Sequence, residues 1–318
     1  MRKVAILGAD IFEDQRELEL FRSTDIEASY YSCKDPLELA ERLADIDGLI
    51  VNLEQVTPEL LARMPKLKVI GRYGVGVDNI DLRAATDYKI AVINVPDYCI
   101  EEVAEHAVSF IFAANRKLVT SAGLTRQGVW GKVKDLKPIS PIKAITLGVV
   151  GTGRIGMTVI RTMIPFGTTI VVYDPYIKQE DLPEGVKSVS FDELLEVSDI
   201  ITIHCPLTEQ TRHLIDAAAF AKTKRKPAII NVSRGPIINE VDLLAALDQG
   251  IVSFAALDVL ETEPPPRDHP LLHHPHALVT NHIAWYSEQA EVKLRDLLVT
   301  RVIDYLNGRS VPSIANKF

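Results

Sequence analysis

Residues 145–174 read ITLGVVGTGRIGMTVIRTMIPFGTTIVVYD. An apolar run at 146–150 ends in Gly151-Thr152-Gly153-Arg154-Ile155-Gly156. A helix-favouring segment follows, and a second apolar run at 169–173 closes on Asp174. Each glycine has its own mechanical reason. Gly151 permits the tight strand-to-helix turn, Gly153 lets backbone approach a pyrophosphate, and Gly156 lets the helix pack closely on the strand. Phosphates then meet the free N–H groups and the positive end of the helix dipole. Asp174, at the tip of the second run, can accept hydrogen bonds from ribose hydroxyls. The competing reading is a glycine-rich turn with no ligand, and the strand–helix–strand–acid setting argues for the dinucleotide.

Short apolar runs alternate with helical stretches on both sides of this unit. Before it, strands are expected at 4–8, 28–32, 48–52, 69–72 and 90–94, with helix-favouring segments such as 36–44 and 58–64 between them. From the glycine turn onward, strands are expected at 146–150, 169–173, 200–203, 228–232, 254–257 and 277–280. Such alternation implies parallel sheets covered on both faces. Ile100, Val103, Ala104, Ala107, Val108, Ile111 and Phe112 recur at helical spacing over 100–118, with Glu101 and Glu102 where a helix dipole favours acids. A last long helix is expected at about 287–306, where the chain crosses back to the first domain. Pro264–Pro266 reads as a rigid loop.

At 318 residues the chain can hold two domains with sizeable cores, and 47% hydrophobic with 25% charged residues is globular composition. A net charge of −8 argues against nucleic acid as a direct partner, since that binding neutralises phosphates. Cys33, Cys99 and Cys205 are widely spaced and form no CxxC pair, so neither a disulfide framework nor a zinc knuckle is encoded. The N-terminus reads as a first strand rather than a signal peptide. No run has the apolar length of a membrane helix, so a soluble, cytoplasmic protein with no membrane partner is expected.

Ligands of open α/β sheets gather outside the carboxyl ends of the strands. Four polar clusters fall there: His204-Cys205-Pro206, Ser233-Arg234-Gly235, Asp258 with Glu261 and Glu263, and Asn281-His282. Each has a plainer reading. A lone arginine after a strand is commonly a surface ion-pair residue, Glu261 competes with Glu263, and His269, His273, His274 and His276 compete with His282. The HPLLHHPH run invites a metal, but without an ordered second set of ligands it reads as a surface loop and no metal is expected. Cys205 as a nucleophile has no legible base partner.

Six stretches together resemble the D-isomer-specific 2-hydroxyacid dehydrogenase family over essentially the whole length. They are GRYGVGVDNID (71–81), VAEHA (103–107), GVVGTGRIG (148–156), IINVSRGPIINE (229–240), AALDVLETEP (255–264) and TNHIAWYSEQA (280–290). The resemblance implies an α/β chain of two doubly wound parallel-sheet domains with a cleft between them. Residues 1–98 and 287–318 form a flavodoxin-like substrate domain, and residues 99–286 a Rossmann NAD-binding domain. It also implies Arg234 as the substrate-binding arginine, His282 as the acid–base residue and Glu263, five residues beyond Asp258, as its carboxylate partner. Hydride transfer to or from a carbon bearing oxygen also moves a proton on that oxygen, which suits a histidine. A guanidinium forks onto a carboxylate and polarises the keto oxygen.

The cofactor residues implied are Gly151, Gly153, Arg154, Ile155 and Gly156 on the phosphate turn and Asp174 on the ribose. Cys205 and Pro206 lie on the adenine side. Val232, Ser233 and Asp258 border the nicotinamide and its ribose, and Ala284 completes the set. Asp174 followed by Pro175, without an adjacent arginine, favours NAD over NADP because a 2′-phosphate would be repelled. Gly74-Val75-Gly76 resembles the loop whose amides hold the substrate carboxylate, while Asp78, Asn79 and Asp81 suit turns and caps and His106 packing or hydrogen bonding at a domain junction.

Arg72 stands where phosphoglycerate dehydrogenases place a phosphate-contacting arginine, and Lys132 and Lys134 add positive charge. The substrates implied are 3-phosphoglycerate or a hydroxypyruvate- or glyoxylate-type acid. Because the sequence stops at Phe318, the C-terminal regulatory domains of many such enzymes are not expected. AWYSEQA also resembles the C-terminal binding proteins, NAD-responsive corepressors of the same fold, in which Trp285 forms an aromatic wall beside the substrate. Asn281 stands where the wider family has proline. A homodimer formed through the cofactor domain is expected, with the 100–118 helix contributing.

Overall fold

The computed structural model describes all residues except 9–11, 13, 33–36, 38–39 and 132. Cys33, Lys132 and the start of the helix expected at 36–44 therefore lie outside the described residues. Contacts divide the chain into two compact units, Met1–Cys99 with Tyr286–Phe318, and Ile100–Trp285.

In the first unit, β1 (Arg2–Ile6), β2 (Ile26–Tyr30), β3 (Gly48–Val51), β4 (Val69–Arg72) and β5 (Ala91–Ile93) form a parallel sheet in the order β2-β1-β3-β4-β5. That is the flavodoxin-like doubly wound order. β3, β4 and β5 are buried along their whole length, as the unbroken apolar runs of a sheet covered on both faces require. One layer of the core joins Leu49, Val51, Ile70 and Val92 to Leu60, Leu61 and Met64. The helix Pro58–Ala62 starts where Thr57 accepts from the Leu60 N–H and Pro58 presets the first turn. The helix Glu288–Leu306 packs against the helix Arg16–Phe21, β4 and β5. Ser287 caps it by accepting from the Ala290 N–H.

In the second unit, seven strands are again all parallel. They are β6 (Thr146–Val150), β7 (Thr169–Tyr173), β8 (Lys187–Ser188), β9 (Ile200–Ile203), β10 (Ala228–Asn231), β11 (Phe254–Leu257) and β12 (Ala277–Val279), in the order β12-β11-β10-β9-β6-β7-β8. The winding reverses between β6 and β9, so the crevice outside their carboxyl ends is the dinucleotide position of such sheets. The expected six strands become seven because β8 pairs with β7 at the sheet edge. Two exposed residues, Lys187 and Ser188, carry no apolar signal from which a strand could be read.

Two further expectations are corrected. The helix expected over 100–118 ends at Asn115, and a separate helix begins at Leu118. Its apolar face, including Val103, Ala107, Phe110 and Ile111, is buried, and the helix packs within its own unit on the helix Arg154–Met163, β9, β10 and β11. Ile100, Val108 and Phe112 of the same face stay half-buried. The HPLLHHPH run is not a plain loop, because Pro270–His273 makes one helical turn. Among the described residues, no helix is long and apolar enough to cross a membrane, and no group of three or more His, Cys, Asp or Glu could hold a metal ion.

Candidate active site

The glycine turn has the geometry its spacing requires. Gly151 sits at φ +93°, and a Cβ there would lie 2.6 Å from the Cys205 amide nitrogen. A Cβ on Gly156 would overlap the Gly151 carbonyl, which makes Gly156 a packing residue. Gly153 differs from both, since nothing lies within 4 Å of its would-be Cβ. The helix Arg154–Met163 begins there with no side-chain cap, so its first N–H groups are not bonded by an N-cap side chain. This is a cradle shaped for a phosphate rather than one closed by protein.

Asp174 projects from the end of β7 beside the turn. Its Oδ2 accepts from the Thr152 N–H at 2.8 Å and the Thr152 hydroxyl at 2.7 Å, and its Oδ1 accepts from the Tyr176 N–H at 3.0 Å. Partial burial disfavours the anion, but these three donors outweigh it and hold the carboxyl below its ordinary value. Asp174 is thus a pre-oriented anion with acceptor capacity left for ribose hydroxyls. Thr152, an unremarked position inside the glycine motif, does the orienting.

Cys205 follows β9 directly beneath Gly151. The Ser233 hydroxyl donates to its carbonyl at 2.5 Å, tying the ends of β9 and β10 together. Burial pushes the Cys205 thiol up to about 11. Loss of water drives the neighbouring His204 down to about 3, while its Nε2 bonds the Thr202 hydroxyl at 2.9 Å. A protonated thiol beside an imidazole turned elsewhere is not an activated nucleophile. Val232 is buried behind Ser233, while Pro206 and Arg154 are exposed and Ile155 is half-buried. The residues present fit a dinucleotide.

The second cluster gathers around β11 and β12. Glu263 Oε2 lies 2.5 Å from His282 Nδ1, and Glu263 Oε1 accepts from the Leu260 N–H at 2.9 Å. Burial raises the Glu263 carboxyl, but the His282 contact, the Leu260 N–H and the Arg234 charge prevail and hold it below its ordinary value. Arg234 is half-buried after β10, its Nη1 donating to the Ser233 carbonyl at 2.9 Å. Its own carbonyl accepts from Asn231 Nδ2 at 2.9 Å, which fixes the loop to the strand end.

Asp258 turns out to be the organiser of the histidine loop. It is 2% exposed. Its Oδ1 accepts from the Thr280 hydroxyl at 2.5 Å and the Ile283 N–H at 2.9 Å, and its Oδ2 from the Ala284 N–H at 2.9 Å. Its carbonyl accepts from the His282 N–H at 2.8 Å. These bonds hold His282 at φ +55°, a left-handed conformation rare for a non-glycine residue. His106 Nε2 reaches the Thr280 oxygen at 3.2 Å, and because that hydroxyl gives its proton to Asp258, His106 is the donor. Thr280 carried no warning in the sequence beyond standing two residues before His282.

Most of the remaining predicted residues belong to the first unit, and Lys134 and Trp285 to the second. Arg72 ends β4 and is buried, and a Cβ on Gly74, at φ +133°, would overlap its guanidinium. A side chain at that φ is strained and would displace the arginine head group. The Gly74 and Val75 carbonyls accept from the Val95 N–H at 2.9 Å and from Asn94 Nδ2 at 2.6 Å, so the loop turns these oxygens inward. Val75 is exposed and Gly76 half-buried. Asp81 caps the helix Leu82–Asp87, and Asn79 donates to the Asn52 and Glu54 carbonyls, which are structural tasks. Trp285 is half-buried, and Lys134 is exposed in a 3₁₀ turn.

Residues 108–284 match the family described as D-isomer specific 2-hydroxyacid dehydrogenase, NAD binding domain. The chain is 37% identical over 285 residues to D-3-phosphoglycerate dehydrogenase of Bacillus subtilis, covering 89% of this chain and 54% of that one. It is 35% identical over 321 residues to glyoxylate reductase of Korarchaeum cryptofilum, covering 99% and 94%. The solved D-lactate dehydrogenase of Aquifex aeolicus, complexed with NAD and lactic acid, is 28% identical at a TM-score of 0.85, with 96% of each chain covered. The chain spans about half the length of the phosphoglycerate dehydrogenases it matches.

Proposed function

The chain belongs to the D-isomer specific 2-hydroxyacid dehydrogenase family, and on that premise we propose that it interconverts a D-2-hydroxy acid and its 2-oxo acid with NAD. The observation that carries this is the Glu263–His282 pair at 2.5 Å, held in the unit that contains the dinucleotide turn. When bound, the nicotinamide supplies the hydride chemistry. Gly151 to Gly156 and Asp174 would hold the pyrophosphate and ribose. With Nδ1 engaged by Glu263, His282 gives or takes the substrate proton through Nε2. The carboxylate fixes the ring orientation and stabilises the imidazolium formed in oxidation. Arg234 binds the substrate carboxylate and polarises the oxygen at C2.

Short acids are the substrate class this reading favours, namely 3-phosphoglycerate, hydroxypyruvate or glyoxylate. Relatives named for phosphoglycerate and for glyoxylate both support it. In the same reading Arg72 and the Gly74–Gly76 backbone belong to a substrate domain, Trp285 borders the substrate, and Met1–Cys99 with Tyr286–Phe318 is that domain. A homodimer is part of the proposal, and exposed Leu118 and Trp130 are its supporting surface. None of the relatives named above is a corepressor, so the scaffold reading is not carried further.

The test is NADH oxidation against a panel of 2-oxo acids, with light scattering for the oligomer. Turnover of short acids is expected. Tight NADH binding with no turnover across the panel would overturn the enzyme reading.

A further inference from the structure

Arg234 and the Glu263–His282 pair stand on neighbouring strand ends, after β10, β11 and β12. Something must set the distance between the first two loops. Backbone meets backbone here, since a Cβ on Gly235 would overlap the Leu260 carbonyl. Beside that contact lie two carboxylates that exchange bonds. Glu240 Oε1 accepts from the Glu261 N–H at 2.5 Å, and Glu261 Oε1 accepts from the Glu240 N–H at 3.0 Å.

Each carboxylate also has an imidazole. His269 Nε2 lies 3.1 Å from Glu240 Oε2, and His213 Nε2 lies 3.3 Å from Glu261 Oε1. His213 is itself tied to the Arg234 loop, donating its N–H to the Pro236 carbonyl at 2.8 Å. The Glu240 and His269 side chains are 13% and 17% exposed, so the bond between them is partly shielded from water, while the two backbone bonds lie nearer the surface. Burial, with the Glu261 charge adding to it, raises the Glu240 carboxyl above its ordinary value despite the opposing Glu261 N–H and His269.

The latch closes on the residues that matter. Glu261 is flanked by Leu260, whose N–H holds Glu263, and Glu240 opens the helix that follows the Arg234 turn. We propose that Glu240 and Glu261 are positioning residues whose reciprocal backbone bonds set the spacing between Arg234 and the Glu263–His282 pair. Their task is not to touch substrate but to keep the guanidinium and the acid–base pair at a fixed separation. Charge-assisted bonds to backbone N–H groups suit this, because they fix main chain rather than a mobile side chain. This rests on the dehydrogenase reading for its kinetic consequence, though not for the latch itself.

The test compares Glu240→Ala, Glu240→Gln and Glu261→Ala with wild type. Glutamine keeps the Oε1 acceptor for the Glu261 N–H, and His269 can change tautomer to meet the new amide. Glu240→Ala and Glu261→Ala should each lower kcat by about tenfold to a hundredfold, the cost of a small misplacement of catalytic groups. NADH affinity should stay within about twofold, because that cost falls on chemistry rather than on cofactor binding. Glu240→Gln should restore kcat to within about threefold of wild type, because its acceptor keeps the geometry.

Hydrogen–deuterium exchange over residues 259–263 supplies a readout that needs no substrate. It should speed in Glu240→Ala and stay slow in Glu240→Gln. Full kcat in both alanine variants would overturn the proposal, as would equal losses of kcat in Glu240→Ala and Glu240→Gln. If wild type turns over no acid, the dehydrogenase reading fails, and the exchange comparison still decides whether the latch exists.

Discussion

Glu263 meets His282 at 2.5 Å across a gap of 19 residues in sequence, and a third residue, Asp258, holds the loop on which His282 stands. Glu263 bonds the imidazole ring, while Asp258 bonds the backbone around it. Two acids five positions apart therefore have separate tasks, one bonding the imidazole ring and one framing its loop.

Replacing His282 with alanine removes the proposed proton carrier without touching the phosphate turn. Turnover should fall by about two to four orders of magnitude, the usual contribution of a general acid–base group. NADH affinity, read by fluorescence titration, should stay near that of wild type. An equal loss of cofactor affinity would assign His282 a different role.

Asp258→Ala should cost more than a surface carboxylate. It strands the Ile283 and Ala284 N–H groups and the Thr280 hydroxyl, and it releases the strained φ of His282. A loss of about 3 kcal/mol in urea unfolding is expected from that many unmade buried bonds, together with loss of turnover.

The three glycines of the turn separate binding from folding. Gly153→Ala meets no protein atom within 4 Å, so the thermal midpoint should move by no more than about 2–4 °C. NADH affinity should nevertheless fall by about tenfold or more, because the methyl occupies the space a pyrophosphate needs. Gly156→Ala, which overlaps the Gly151 carbonyl, should lower the thermal midpoint as well.

Asp174→Asn tests the ribose contact. Loss of a charged acceptor should weaken NADH by about tenfold to a hundredfold. The preference for NADH over NADPH should narrow in the same titrations, since the charge that repels a 2′-phosphate is gone.

Glu17 provides the pH test. Its side chain is 0% exposed and that of Arg295 is 1%, and Arg295 Nε and Nη2 each donate to it at 2.7 Å. The Tyr30 and Tyr73 hydroxyls donate to the same carboxylate at 2.7 and 2.9 Å. Burial raises Glu17, but Arg295 and Tyr30 outweigh it and hold the carboxyl below 4.5. A depressed folded value contributes stability above the unfolded value, and that stability disappears as pH falls through the folded one. Urea melts should therefore show wild type losing stability from about pH 4.5 downward. Glu17→Gln should be about 3 kcal/mol less stable at pH 7 and flatter across the acid range.

Two parallel sheets and the glycine turn are legible in the residues alone, and the motifs point to Arg234, Glu263 and His282 as site candidates. Apolar runs and glycine spacing are local signals, written in consecutive residues. The helix boundary at Asn115, the strand Lys187–Ser188 and the helical turn in HPLLHHPH escaped because each depends on what packs against it.

Tertiary structure alone decided how the chemical groups are held. Thr152 orients Asp174, Thr280 and His106 serve Asp258, and Glu240 pairs with Glu261. Such partners come from different strand ends and leave no periodicity behind. A hydrogen bond needs two groups within about 3 Å, and only the fold brings residues 152 and 174, or 240 and 261, to that distance.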